Sequence, residues 1–289
     1  MVVNGGHQRT ARPGNDSPGA GVREPAPIAA AIGQYSGDPD FMISFARGLA
    51  VIGAFAGGTG RRTIGAIALS TGLSRAAVRR CLYTLQQLGF VGIDEGRRYA
   101  LCPKILSLGY AFLASSSLVL SAKPLLDQAS ATLHESCSMA VLEGDSIVYV
   151  ARSASSRRLM SIDLNVGSRL PAYCTSMGRV LLAGLPEAEL DAYLRALAPI
   201  AYTERTVTRP ETLRRIVAEC GRSGFALVDQ ELELGLRSMA VPVRDARGNV
   251  VAALNVSTHA SRVGIPDLRA RCLPVLLDAA QELALAVPG

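Results

Sequence analysis

The stretch Ser74–Phe90, "SRAAVRRCLYTLQQLGF", decides how the first half of the chain folds. At a helical period Leu73, Val78, Cys81, Leu82 and Leu85 fall on one side, the spacing of a face that seeks a core. Ser74, Arg75, Ala76, Arg79, Arg80 and Tyr83 fall on the other, crowded toward the N-terminal end. Ser74 is placed to cap the helix and Gly89 to stop it just past its end. A solvated helix face intersperses acids with bases, and this helix has no acid. A basic helix end of that kind points at a polyanion.

Working outward, "RTIGAIALSTGL" (Arg62–Leu73) predicts a short helix begun near Thr63 and closed by Gly72. Before it, "DPDFMISFARGLAVIGAFAG" (Asp38–Gly57) places Phe41, Phe45, Leu49, Ile52 and Phe55 on one helical face, with Asp38 or Asp40 as cap. After Phe90, "VGIDEGRRYALC" (Val91–Cys102) alternates around the turn residues "DEG" and predicts a two-stranded hairpin. Helix, helix, turn, helix, hairpin is the order of a winged helix-turn-helix, here 40–104. In that motif the first residues of the second helix of the pair reach base edges in the major groove. Arginine suits the guanine edge, and a small residue such as Ala76 allows close approach to a thymine methyl. Thr63, at the start of the preceding helix, joins the candidate DNA contacts. So do Arg97 and Arg98, which follow the hairpin turn beside Tyr99 where a wing meets phosphates or a minor groove. A plain solvated turn is the competing reading for those two arginines.

The charge distribution favours the same domain. The chain has 289 residues, 49% of them hydrophobic, and a formal net charge of +6. That length leaves room for two ordinary domains. Met1–Pro39 balances Arg9, Arg12 and Arg23 against Asp16, Glu24 and Asp38, and Ile105–Gly289 carries eighteen charges of each sign. Asp40–Lys104 holds nine basic residues against three acidic, so the whole excess sits on the winged-helix segment. Residues 1–39 are rich in Gly, Pro and Ala and predict a disordered tail, at least to Pro25. Its arginines read as solvated, with a weak extra DNA contact as the alternative.

Several classes are disfavoured. The longest apolar stretch, "ILSLGYAFLASSSLVL" (Ile105–Leu120), falls short of the ~18 residues of a membrane span, and the first forty residues have no apolar signal core. Six cysteines are dispersed without a CxxC pair among only three histidines, so a reduced cytoplasmic protein without metal or other cofactor is expected. "GGTGRRT" lacks the lysine and spacing of a phosphate-binding loop, and "GRSGF" is not a nucleophile elbow. His134, Glu135 and Cys137 lack metal-ligand spacing and read as a local surface feature at a helix end. Cys174 would need His134 or His259 beside it to act as a nucleophile. No catalytic residue is assigned.

Beyond Lys104, "PKILSLGYAFLASSS" (Pro103–Ser117) puts Ile105, Leu108 and Phe112, and one turn apart Leu106 and Leu113, on apolar faces. A linker helix so apolar is expected to pack against a partner chain, with burial in its own chain as the alternative. We assign 105–121 to it and 122–289 to a second domain. There "SMAVLEGDSIVYVARS" predicts two strands around "EGDS", and "RLMSIDLNVG", "FALVDQE", "RSMAVPVRD" and "VVAALNVSTH" predict further strands. "SAKPLLDQASATLHESC", "TSMGRVLLAGL", "PEAELDAYLRAL" and "RPETLRRIVAECGRSG" predict helices, the last two with proline as their first residue. "IPDLRARCLPVLLDAAQELALAV" closes the chain as a long amphipathic helix. The fold class is α+β, with a largely antiparallel sheet covered by helices.

This order of elements, with "LSRAAVRRCLYTLQQLGFV", "GSRLPAYCTSMGRVLLAG" and "SGFALVDQELELGLRSMAVPVRDARGNVVAALNVS", resembles the isocitrate-lyase-regulator (IclR) family of bacterial transcription factors. Within it, "YCTSMGRVLLA" and "DQELELGLRSMAVPV" are similar to the branch that regulates the β-ketoadipate pathway of protocatechuate and 4-hydroxybenzoate breakdown. The resemblance spans Asp40 to Val287. It implies a homodimer or dimer of dimers, double-stranded operator DNA as partner, contact with RNA polymerase, and a C-terminal ligand-sensing domain of GAF-like fold. It also implies an effector pocket built from "LPAYCTSMG", "DQELELGLRSMA" and "AALNVS". The candidates there are Pro171, Ala172, Tyr173, Thr175, Ser176, Met177, Gly178, Asp229, Glu231, Arg237, Ser238, Asn255 and Ser257.

Read physically, a loop entering a helix at Thr175, Ser176 and Met177 offers unpaired N–H groups and hydroxyls to an anion. Arg237 could pair a ligand carboxylate, or instead Glu231 or Glu233. Ser176 could be a plain cap, and Tyr173 and Met177 would wall an aromatic ring. The expected effector is a small aromatic or dicarboxylic acid: protocatechuate, 4-hydroxybenzoate or β-ketoadipate. The rivals are a regulator of another carboxylic-acid pathway, an architectural DNA-binding protein without ligand, and a small-molecule enzyme or receptor whose basic domain binds nucleic acid without specificity.

Overall fold

The computed structural model describes residues 28–56, 60–153 and 164–286. Of the tail expected over 1–39, residues 1–27, and of the strand expected over 158–167, residues 158–163, lie outside the described residues. The described remainder of that last stretch, 164–167, is loop and turn, and the neighbouring strand is Arg169–Pro171.

Structure begins earlier than the expected tail boundary. A helix α1 (Ile28–Gly33) buries Ile32, and the rings of Tyr35 and Phe41 stack with centroids 4.4 Å apart. It packs on α2 (Ile43–Gly53), whose N-terminus has no side-chain cap from Asp38 or Asp40. The expected core face of α2 is corrected too: Ala50, Val51 and Phe55 are buried, whereas Phe45 and Leu49 are 63% and 48% exposed. Next come a two-residue strand β1 (Arg61–Arg62) and α3 (Ile64–Thr71), where Thr63 Oγ1 accepts from the Ala66 N–H. Gly72 ends α3 at φ +71°, and an added Cβ would stand 3.1 Å from Ala29 Cβ on α1, so both conformation and packing favour glycine.

The Ser74 hydroxyl caps α4 (Arg75–Gln87), accepting from the Ala77 N–H at 3.2 Å. Val78, Leu82 and Leu85 are buried against Val51, Phe55, Ile67 and Val91. The wing is β2 (Val91–Ile93) and β3 (Tyr99–Leu101), and β1 adds a third, unexpected strand in the order β1-β3-β2.

A 3-10 turn at Pro103–Ile105 leads into α5 (Leu106–Ser115), the expected linker helix. It bends by 87° at Ser116 into α6 (Ser117–Leu133), which runs unbroken through residue 121. Among the described residues no single helix is long and apolar enough to cross a membrane.

The second domain is built on one antiparallel sheet of six strands. They are β4 (Ser136–Glu143), β5 (Ser146–Ser153), β6 (Arg169–Pro171), β7 (Ala226–Asp229), β8 (Leu236–Arg244) and β9 (Val250–His259), ordered β6-β5-β4-β9-β8-β7. One face carries α6 together with the C-terminal α10 (Ile265–Asp267) and α11 (Leu273–Leu285). A π turn at Leu268–Cys272 interrupts the expected single helix where Pro274 has no N–H to continue the ladder. The other face carries α7 (Ser176–Ala183), backed by α9 (Pro210–Ser223), with α8 (Glu187–Ala196) packed on α9. Pro210 is the first residue of α9, but Pro186 stands one place before α8 begins.

His134 ends α6 in the left-handed region, at φ 56°. His134 is exposed, as expected, whereas Glu135 and Cys137 beside it are buried, which corrects the surface reading for those two. The Glu135 carboxylate accepts from Thr258 Oγ1 and pairs with Arg262, tying the start of β4 to the loop after β9.

Candidate functional sites: a basic helix end and a cavity

On α4 the division of faces follows the sequence reading. Ser74, Arg75, Ala76, Arg79, Arg80 and Tyr83 are all exposed, Tyr83 by 64%. Arg75, Arg79 and Arg80 have no ion pair among the described residues. The hydroxyls of Thr63 and Ser74 are engaged as helix caps, so what α3 and α4 present at their starts is the free N–H groups of their first turns.

The wing divides its arginines. Arg98 donates its N–H to Asp94 Oδ1 at 2.9 Å, and its Nε lies 3.7 Å from Asp94 Oδ2. Arg61 Nη1 reaches the same carboxylate at 2.8 Å. The backbone hydrogen bond from Arg98, then the Arg61 side chain, holds the Asp94 carboxyl below its ordinary range. Arg97 stands at the tip in the left-handed region, at φ 55°, exposed. Arg61 and Arg62 were missed because a two-residue strand shows no period.

The cavity lies between the start of α7 and the sheet and is partly open to solvent; about 360 Å³ of space, solvent included, lies among its lining atoms. Of the expected effector residues, Thr175, Ser176, Met177, Ser238, Asn255 and Ser257 line it. Thr175, not Ser176, is the cap: its Oγ1 accepts from the Gly178 N–H and donates to the Pro171 carbonyl. That leaves the Ser176 and Met177 N–H groups at the open end of the helix, without intrahelical acceptors. Asn255 is 3% exposed; its Nδ2 donates to Ser257 Oγ at 3.0 Å, while its Oδ1 is buried without a partner.

The other expected residues hold the walls from behind. Arg237 pairs neither a cavity atom nor Glu231 or Glu233: its Nε donates to Asp229 Oδ1 at 2.7 Å and its Nη1 to the Val263 carbonyl at 2.6 Å. Burial raises the Asp229 carboxyl, but Arg237, Gln230 and Arg205 together hold it below its ordinary range. Glu231 takes both terminal nitrogens of Arg179 at 2.7 Å, both side chains buried, and accepts from the Val207 N–H. Breaking a buried pair of this kind from one side costs about 3–5 kcal/mol. Tyr173 does not wall the cavity; its hydroxyl donates to the Ile200 carbonyl and accepts from the Ile200 N–H. Ala172 passes so close to α7 that a Cβ on Gly178 would lie 2.1 Å from the Ala172 oxygen.

Of the other six lining residues, Leu170, Cys174, Leu232 and Leu236 lie within the expected pocket segments without being singled out as contacts, and Tyr149 and Val228 lie outside them. Together the six make the cavity mostly apolar, as ring-binding sites are. Burial pushes the Cys174 thiol up to about 12, which keeps it protonated at neutral pH and unsuited to nucleophilic attack. Among the described residues no three His, Cys, Asp or Glu side chains gather to hold a metal.

Comparison with known proteins decides what these two sites belong to. Residues 44–95 match the IclR helix-turn-helix domain, and residues 110–285 match the C-terminal domain of bacterial transcriptional regulators of the IclR type. The chain belongs to the IclR family. It is 54% identical to the Pca regulon regulatory protein of Pseudomonas putida, over 86% of this chain and 85% of that one. It is 33% identical to the p-hydroxybenzoate hydroxylase transcriptional activator of Acinetobacter baylyi, over 84% and 91%. Among solved structures of the family, a transcriptional regulator from Rhodococcus sp. RHA1 superposes with a TM-score of 0.75 at 46% identity, covering 85% of this chain and 98% of that one. A double mutant of the inducer-binding domain of PobR from Acinetobacter, solved with 3-hydroxybenzoic acid, matches at 32% identity and a TM-score of 0.55, covering 57% of this chain and 97% of that one.

Proposed function

We propose that this IclR-family chain regulates transcription of genes for aromatic-acid catabolism, binding operator DNA through α4 and the wing and sensing a small acid in the cavity under α7. The observation that carries the reading is the 54% identity, across both domains, to a Pca regulon regulatory protein. An Acinetobacter relative named as the p-hydroxybenzoate hydroxylase transcriptional activator, and a double mutant of the PobR inducer-binding domain solved with a hydroxybenzoic acid, support the ligand class. The cavity suits such a ligand: apolar walls for a ring and an unsatisfied amide oxygen for a hydroxyl.

In this reading the effector changes operator affinity, or contact with RNA polymerase, only through its differential affinity for two arrangements of the protein. The protein acts in the cytoplasm as a homodimer or dimer of dimers and is not an enzyme. Support for pairing comes from α5, where Leu106 and Tyr110 are 71% and 70% exposed and Leu108 and Phe112 about half exposed. Apolar surface of that kind seeks cover. Calorimetry with protocatechuate, 4-hydroxybenzoate and β-ketoadipate tests the ligand assignment. Binding of at least one is expected; no heat from any of the three contradicts it.

A further inference from the structure

We infer that Arg152 is the effector's carboxylate receptor, seated on the cavity face of the sheet by a β-bulge. The inference rests on the reading above that the cavity holds a small acid.

A regular strand alternates its side chains, so Tyr149 and Arg152, three places apart, belong on opposite faces. In β5 they do not. Ala140 pairs with Tyr149 and Met139 with Ala151, which leaves Val150 as an extra residue. Val150 and Ala151 both turn into the core beneath α6 and α11, while Tyr149 packs on the α7 side. Beyond the bulge the alternation resumes, and Arg152 pairs with Ser138, which pairs with Asn255. Directly opposed residues share a face, so Arg152, Ser138 and Asn255 form a polar row on the side that Asn255 and Tyr149 expose to the cavity. Bulges re-aim side chains in this way beside functional sites.

The polar atoms of that row are left incomplete. Arg152 Nη1 donates to the Leu164 carbonyl, but Nε is buried with no partner. Arg152 forms no ion pair among the described residues, although its charge acts on the neighbouring Tyr149 phenol. The second unsatisfied buried atom is Asn255 Oδ1, two strands away in the same row. A buried N–H donor left unsatisfied on a part-buried guanidinium is costly, and a carboxylate accepting from Nε–H completes it. The free end of the Asn255 amide then takes a hydroxyl of the same ligand. The class this selects is a small hydroxylated carboxylic acid.

The test is calorimetry on the full chain, unmodified and as R152Q and R152K, with 4-hydroxybenzoate, protocatechuate, β-ketoadipate and the methyl ester of whichever binds best. R152Q is expected to bind the acid at least about fivefold more weakly, a charge-assisted hydrogen bond being lost, with R152K recovering part of the loss. The ester, with no carboxylate, is expected to bind both proteins alike. A smaller loss of the acid, or an equal loss of acid and ester, overturns the role of Arg152 and leaves the effector class standing. Failure of all three acids to bind the unmodified chain overturns the effector class itself and, with it, this assignment.

Discussion

Arg75, Arg79 and Arg97 share a charge but occupy different positions, and alanine at each should read out differently. Arg75 and Arg79 project unpaired from the first turns of α4, where a helix of this kind meets base edges. Their loss should cost about 1–3 kcal/mol on one operator sequence and relax the preference at single base pairs. Arg97, at the wing tip, should weaken all sequences alike and flatten the salt dependence by about one unit of slope. A gel-shift series over salt and single-base operator variants separates the two; unchanged binding by the Arg75→Ala and Arg79→Ala proteins would remove α4 as the reader. At this scale the sequence was most legible where chemistry is local. Caps and exposed arginines depend on neighbours one turn away, so Thr63, Ser74 and the basic face could be read directly. The partner of Arg237 could not, because Asp229 meets it only through the pairing of β7 with β8. Arg152 was hidden for a related reason: strict alternation assigns it to the wrong face, and nothing local announces the bulge.

Among the elements, the wing makes a prediction about pH. Asp94 anchors the turn by accepting from the Arg98 N–H and by pairing with Arg61, which holds its carboxyl below the ordinary value of about 3.9. A carboxyl depressed on folding contributes stability above its unfolded pKa and loses it as pH falls through the folded value. The wing should therefore stay ordered as pH drops past 4 and loosen only below that. The Arg98 amide resonance, titrated from pH 6 downward, should move with a midpoint under 3.9; a midpoint at or above that value contradicts the anchor. Elements of ordinary length were foreseeable from period and punctuation, as α3, α4, β8 and β9 illustrate. The face of α2 was not, because Phe45 and Leu49 stay exposed while small Ala50 and Val51 do the packing. Apolar surface left outside on a monomer defeats a rule that places large hydrophobic residues inside.

For the whole molecule, the charge map and the cavity divide the labour. The domain with the net positive charge carries the DNA face, and the electrically balanced domain encloses the cavity. Between them α5 and α6 form a bent connection, with apolar side chains of α5 on the outside. Effector binding can alter operator affinity only if this connection, or the pairing of chains across it, differs between two states. Coupling of about 1–3 kcal/mol, or 5–150-fold in affinity, is the usual range for such linkage. The most direct test titrates the promoter region adjoining the protein's own gene with the full chain, by fluorescence anisotropy, with and without a saturating mixture of protocatechuate, 4-hydroxybenzoate and β-ketoadipate. The account predicts sequence-specific binding whose apparent Kd shifts at least about fivefold when the acids are present; an unchanged Kd, or equal affinity for random DNA, would contradict it.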